Sequence, residues 1–559
     1  MGRYPKGEML PPSRLQGYLE TVLIASPHVS SSGSRRLPLV MRYVALAGCM
    51  AFAAWMFYPM LGADFWALDD HELVRFLPDG RAPLGISDAL KVIVQQTEVG
   101  KPFSALRYRP SYYVLRLSEL YLWHLNSHWW FAARFCMVLL SFALLVHLAT
   151  GYLGPLCGGL LALVALTPTY WGDIWGRTGP AEEYATLGLA LFCVGTAGLL
   201  KSLGEDKPPA WAVWLLVSGC ILAAGSKELF IPMCLVPAWC VFVPRIRRKL
   251  TRLQLVSLSF TIAYCLLIAW SVCTGISRNA GTMLYGQHAD IGYFERATKR
   301  FMELSPPYIG LMLLVQVLAL VIGLLQRTDR HSLLSIQRRF VLAEGVGLAA
   351  LFWVIAFYAG DWPRPGTHYN FPGLLLAPAC AGLCLFLLNR TLALGSRPAG
   401  KRFLVSAASA LGLLVYIYVT GFPSRPVLAA GAKRSRQYQD DLTTTCKRAA
   451  MRPTYPIVIS VAYPSDYETV FATRIFLHAK GVANPFYVIG PDVLHMAGGN
   501  STWLMAAQGL ESMMEGKDGF RDNRGLAADV AAAGGAYVLR VSSNAPTLGG
   551  ATELPLRWL

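Results

Sequence analysis

Eleven stretches of the chain are apolar enough to read as membrane-crossing helices: 41–62, 129–149, 155–171, 180–200, 209–225, 229–244, 253–274, 308–326, 340–360, 372–389 and 403–421. A helix needs about 20 apolar residues to cross the hydrocarbon core. Inside that core each backbone N–H and C=O must be paired within the protein, which leaves only helices or a closed barrel. Runs of this length select helices, so 41–421 is expected to form a polytopic α-helical membrane domain of about eleven spans. Composition removes the alternatives. Only 15% of residues are charged and 54% are hydrophobic, with a mean hydropathy of +0.41. Soluble domains carry about 25% charged residues. Disordered chains are polar and poor in aromatics. The net charge of +17 would suit a nucleic-acid binder, but the apolar content does not, so no nucleic-acid partner is expected.

The positive charge instead reads as a topology signal, because short cytoplasmic loops are rich in Lys and Arg. Arg35, Arg36 and Arg42 flank the first stretch. Placing that end inside and alternating puts four more basic groups inside: Lys201 and Lys207; Arg245, Arg247, Arg248, Lys249 and Arg252; Arg327, Arg330, Arg338 and Arg339; and Arg390, Arg397, Lys401 and Arg402. The expected organisation is a cytoplasmic segment 1–40, a transmembrane domain 41–421 with an outer loop 63–128, and an outer domain 422–559. No small-residue cleavage site follows the first apolar run closely, so that run is expected to act as a signal anchor.

The tail has a different grain. Its charges are nearly balanced, and short β-rich runs at Ile457–Val461, Phe486–Ile489 and 537–541 alternate with helix-like stretches such as 504–514. That pattern predicts a small α/β domain. Eleven of the twelve cysteines fall in apolar stretches and only Cys446 lies in the tail, so neither a zinc site nor a disulfide framework is indicated.

Ionisable residues at membrane edges are costly and are functional candidates by default. Five clusters occur, and the topology places all five on the outer side. The first is Asp69-Asp70-His71-Glu72, where one carboxylate suits a base and its neighbour tunes it; a solvated helix start would favour the same acids. The second, Arg107-Tyr108-Arg109-Pro110-Ser111-Tyr112-Tyr113, suits a phosphate and a sugar face, or an interfacial aromatic belt. Residues 111–126 after it read as an amphipathic helix on the membrane surface. The third is Arg177-Thr178-Gly179-Pro180-Ala181-Glu182-Glu183-Tyr184, whose acids also suit a helix dipole. The fourth is Ser226-Lys227-Glu228, an ion pair or a point charge for a phosphate. The fifth, Asp361 to Pro372, stiffens Arg364 between two prolines and adds His368 and Tyr369.

Taken together, these clusters resemble the GT-C superfamily of integral-membrane glycosyltransferases, which use polyprenyl-phosphate-linked sugars. Asp69-Asp70 matches the family's acidic pair after the first span. Glu182 matches an acid at the start of the fourth, and Lys227-Glu228 a pair after the fifth. His368-Tyr369-Asn370-Phe371-Pro372 matches a late basic/aromatic-Tyr-x-x-Pro motif, with His368 where an Arg is often found. The resemblance covers about 1–421. It implies Asp69 as general base, Asp70 orienting the acceptor or tuning Asp69, and Glu182 orienting acceptor or sugar. Arg109, Tyr112, Lys227, Glu228, Arg364, His368 and Tyr369 would bind the donor's phosphate and sugar. The implied partners are a polyprenyl-phosphate sugar, membrane lipid, and a glycan, lipid or protein acceptor on the periplasmic face of a bacterial inner membrane. A monophosphate donor needs no metal, whereas a diphosphate donor would bring in Mg²⁺ or Mn²⁺. Two rival readings are a ligase or polymerase using a lipid-linked diphosphate, and a transporter of lipid-linked sugars. The latter fits less well, because transporters tend to carry internal repeats and mid-membrane sites.

Overall fold

The computed structural model describes residues 36–66, 70, 74, 76, 84–95, 108–202, 207–278, 291–306, 399–461, 467–489, 526–541 and 549–554, with isolated positions between 309 and 371. The architecture is mainly helical. The first helix, α1 (Arg36–Phe57), tightens into a 3₁₀ turn at Tyr58–Gly62, where Pro59 enters. Two helices follow in the long loop, α2 (Ile86–Gln95) and α3 (Pro110–Trp123). The bundle continues with α4 (Ser127–Leu153), α5 (Pro155–Val164), α6 (Tyr170–Trp175), α7 (Glu182–Lys201), α8 (Ala210–Ser226), a 3₁₀ segment Glu228–Cys234, α9 (Leu235–Phe242) and α10 (Arg252–Arg278). After α11 (Ile291–Leu304), the chain is described again from α12 (Ala399–Thr420).

Five described helices are long and apolar enough to cross a membrane: Leu39–Gly62, Ser127–Leu153, Glu182–Lys201, Arg252–Thr274 and Ser409–Met451. The chain is therefore a helical membrane protein. Shorter apolar helices occupy Pro155–Val164, Ala210–Ser226 and Glu228–Phe242. One expected span is not continuous. In 155–171, α5 stops at Val164 and Pro168 separates it from α6, because proline lacks the N–H that would continue the ladder. The expected span 229–244 is helical from Glu228 to Phe242, with its first turns tightened to 3₁₀ around Pro232. The expected spans at 308–326, 340–360 and 372–389 lie largely outside the described residues.

Helices α7 and α8 pack through glycine. A Cβ at Gly195 would collide with the backbone of Leu216 and Ala212, and one at Gly188 with that of Ala223. Gly219 on α8 meets Phe192 in the same way. Small residues let membrane helices approach closely, where lipid offers no hydrophobic force to hold them.

Gly421, at φ +61°, and Pro423 break the last long apolar run, and α13 (Ser424–Met451) begins there. Its buried residues Leu428, Ala432, Ser435, Tyr438, Leu442, Thr445 and Ala449 recur at three- and four-residue spacing, so one stripe is covered and the other face stays polar. That stripe lies along the 3₁₀ turn after α1 and along α6. The Ser424 hydroxyl donates to the carbonyls of Pro168 and Thr169, and Gln439 Nε2 donates to the Phe65 carbonyl at 3.0 Å.

The tail forms a four-stranded sheet, β2-β1-β3-β4. Strands β1 (Ile457–Val461), β2 (Phe486–Ile489) and β3 (Ala536–Val541) are parallel, with α14 (Tyr467–Ala479) between β1 and β2 and α15 (Leu526–Ala533) before β3. Strand β4 (Gly549–Leu554) joins antiparallel; its Gly-Gly-Ala-Thr sequence carries little β propensity, which is why the sequence did not announce it. Side chains alternate. Ile457, Ile459, Tyr537 and Leu539 join the cluster containing Val470 and Phe476 of α14, while Val458, Tyr487 and Val538 pack with Val530 of α15. The first of these clusters runs on without a break into Phe65, Trp66, Tyr112 and Trp130. Phe65 stacks on Phe476 at 6.1 Å. The loop after α1 and the sheet therefore share one side of the bundle. The expected helix at 504–514 lies outside the described residues.

Gly195→Leu is expected to lower stability by about 1–3 kcal/mol, the usual cost of overpacking. The thermal midpoint of the detergent-solubilised protein measures it, and an unchanged midpoint would mean that α7 and α8 do not touch this closely.

Candidate functional site

Asp70 leaves the chain just beyond α1 and is fully buried. One carboxylate oxygen accepts the Trp66 N–H at 2.7 Å, and the other accepts the N–H groups of Thr178 and Gly179, each at 2.8 Å. It thus ties the loop after α1 to the segment that starts α7. Tyr112 on α3 donates to the Gly179 carbonyl of the same segment at 2.8 Å. Burial pushes the Asp70 carboxyl up to about 6, against the downward pull of the Trp66 and Thr178 N–H groups and the Arg177 guanidinium. Asp69, its neighbour, lies outside the described residues, as do Arg364, His368 and Tyr369. Of the late motif only Phe371 is described; it is buried among Tyr170, Trp171 and Phe230.

The other candidates come together as ion pairs. Lys227, where α8 ends in extended backbone, pairs with Glu182 at the first turn of α7. Arg109, just before α3, pairs with Glu228, with Nε to Oε1 at 3.1 Å. All four side chains are buried. Arg109 and Lys227, read from sequence as cations for a phosphate, therefore each have an acid partner within the protein.

Glu182 and Glu183 are neighbours in sequence but serve different partners. Successive helical residues project about 100° apart. Glu182 turns to Lys227, while Glu183 turns to α3 and α4, where Arg116 Nη2 lies 3.2 Å from its Oε2 and Arg134 Nε also pairs with it. Arg134 makes a forked contact with Glu119, and the Tyr184 hydroxyl donates to Glu119 while accepting from Arg134 Nη2 at 3.0 Å. Arg116 lies over the Tyr184 ring at 4.8 Å. Two guanidinium groups thus face two carboxyl groups in this buried part. The Glu119 carboxyl sits below the usual carboxylate range: burial pushes it up, and Arg134 and Arg116 more than reverse that.

Arg116, Glu119 and Arg134 escaped the sequence reading. Arg134 carried a usable signal, since it stands alone in the first turns of an otherwise apolar span, where a charge needs a partner. Arg116 and Glu119 read as ordinary charges on a surface helix, and only packing reveals their burial. Among the described residues no three His, Cys, Asp or Glu side chains gather as a metal site.

The fold and these contacts define a helical membrane protein with a buried ionic cluster at one end of its bundle, drawn from the loop after α1, α3, α4, the start of α7 and the end of α8. No family model matches the sequence, and no curated protein is significantly similar to it. Among solved structures, the chain is similar to ArnT from Cupriavidus metallidurans in the apo state, at 12% identity and a TM-score of 0.45, over 90% of this chain and 94% of that one. The same protein bound to undecaprenyl phosphate gives a TM-score of 0.41 at 12% identity, over 90% and 93% of the two chains.

Arg134→Met is expected to cost about 3–5 kcal/mol, because it leaves two buried carboxylates with Arg116 as their one remaining cation among the described residues. Denaturation in detergent measures this, and a loss under about 1 kcal/mol would show that the acids find other partners. Asp70 adds a pH dependence. Folding raises its pKa from 3.8 to about 6, so over that window the folded protein holds a proton the unfolded chain has released. Its contribution to stability is complete below the lower value and is lost as pH rises through the upper one. Asp70→Asn should flatten the fall of the thermal midpoint across this range; an unaltered slope would assign it to another group.

Proposed function

We propose that the protein is a membrane glycosyltransferase that moves a sugar from a polyprenyl-phosphate donor to a hydroxyl of an envelope glycan, lipid or protein on the periplasmic face. The observation that supports this reading is the convergence of four of the five sequence clusters. Asp70, Arg109, Tyr112, Gly179, Glu182, Lys227 and Glu228 are linked by direct contacts although they lie up to 158 positions apart in the chain. A site needing several charged groups at one place accounts for their burial there at the cost of desolvation.

The step is an inverting displacement. The acceptor hydroxyl attacks the anomeric carbon, its proton passes to the Asp69 carboxylate, and the bond from that carbon to the phosphate oxygen breaks. The electron pair leaves with the polyprenyl phosphate. The state between is oxocarbenium-like, so a nearby carboxylate and a cationic cradle for the leaving phosphate both lower the barrier. In this reading Asp70 fixes the loop that carries Asp69, and Glu182 and Glu228 hold Lys227 and Arg109 in place beside the leaving phosphate. Arg364, His368 and Tyr369 complete the cradle. A monophosphate leaving group neutralised by these cations needs no Mg²⁺ or Mn²⁺, so transfer should survive EDTA.

A positioned base contributes about 10²–10⁴-fold. Asp69→Asn should therefore reduce transfer by at least about 100-fold with an unchanged amount of folded protein. Mass spectrometry of envelope glycans, lipids and proteins, with the active protein and with the variant, reads out both sugar and acceptor. Identical spectra, or full activity in the variant, would overturn the assignment.

A further inference from the structure

Away from the ionic cluster, a cavity of about 210 Å³ opens where the loop after α1 meets α13 and the end of α14. Asp64, Phe65, Asp440, Thr443, Phe476 and Lys480 carry its character. Its size admits about seven water volumes of about 30 Å³ each, well short of the roughly 300 Å³ at which sites for larger ligands begin. A lipid chain does not fit, but a single hydroxylated ring does.

The lining selects the ligand's chemistry. Two carboxylates face one ammonium, so an anion is disfavoured. Lys480 is already engaged, donating to the Thr443 hydroxyl at 3.1 Å. Asp64 spends Oδ1 on the Phe65 N–H at 2.7 Å, and among the described residues neither its other oxygen nor the Asp440 carboxylate has a hydrogen-bond partner. Open carboxylate oxygens are strong acceptors for hydroxyl donors. Phe65 and Phe476, stacked on each other and almost wholly buried, leave a small apolar margin in the lining for the C–H groups of a ring. The wall is also fixed in place: Gln439 holds the Phe65 carbonyl, and Asp70 holds the next N–H, that of Trp66.

We infer that this cavity binds one neutral sugar ring. Given the proposed transferase function, that ring belongs to the acceptor, because the net-negative lining would repel the donor's phosphate. Phe65 of the cavity wall and Asp69 lie four positions apart in the chain, so acceptor binding and the proposed base would come from one sequence segment.

Saturation-transfer NMR on the full-length protein in detergent tests this, with glucose, galactose, mannose, arabinose and ribose as neutral probes and glucose 1-phosphate as the anionic one. At least one neutral sugar should bind, and glucose 1-phosphate should bind at least tenfold more weakly. Thr443→Leu fills the cavity, and Asp440→Asn replaces a charged acceptor; both are exposed positions, and each should weaken binding at least tenfold without moving the thermal midpoint. Asp69→Asn should leave binding intact. If no neutral sugar binds, or if binding survives both cavity variants, the inference fails. Binding that the cavity variants abolish, in a protein that transfers nothing, would keep the cavity site and sink the transferase reading. Transfer with an acceptor KM that Thr443→Leu does not change would do the reverse.

Discussion

Arg134 enters an otherwise apolar helix, where an unpaired guanidinium would cost several kcal/mol, and its pairing with Glu119 and Glu183 obliges α3 and α7 to close on α4. Once α7 is held there, its first turn cannot move without breaking that cluster. Glu182 is then aimed at Lys227 and the end of α8, and Glu228 beside it takes Arg109 at the start of α3. The ring of contacts is closed. Each pair is worth little as net stabilisation, but each fails badly if one partner is lost, so together they select a single arrangement of four elements.

The extramembrane parts are organised from the same centre. Asp70 is held by backbone N–H groups from two segments, Trp66 on its own loop and Thr178–Gly179 ahead of α7. That fixes the loop after α1 against the bundle. Phe65 of this loop then packs on Phe476, and Gln439 of α13 caps its carbonyl. The sheet is thereby seated over the same end of the bundle as the ionic cluster. The small cavity between loop and sheet is a consequence of that seating.

Much of the architecture was legible in local sequence. Apolar runs located the helices at 36–57, 127–153, 182–201, 210–226, 252–278 and 399–420, since span length and backbone pairing leave no other solution in lipid. β-Branched runs located three of the four strands. The misreading at 155–171 has a local cause too: Pro168 interrupts a run that hydropathy alone counts as continuous. Clusters around Asp70, Arg109, Glu182 and Lys227 stood out because charge at a membrane edge is expensive. Arg116 and Glu119 did not, because nothing in sequence separates a buried ion pair from a solvated one.

The class of protein, the positions of most helices and the residues worth suspecting are written locally, because each follows from hydrophobicity and backbone pairing over a window of about 20 residues. The partners emerge from packing. Whether Glu182 or Glu183 meets Lys227, whether Arg109 stands free or pairs with Glu228, and whether Asp70 faces solvent or backbone depend on helix rotation and on contacts between segments a hundred residues apart. Local sequence carries no term for such contacts. They are set by the requirement that every buried charge find its counter-charge at once.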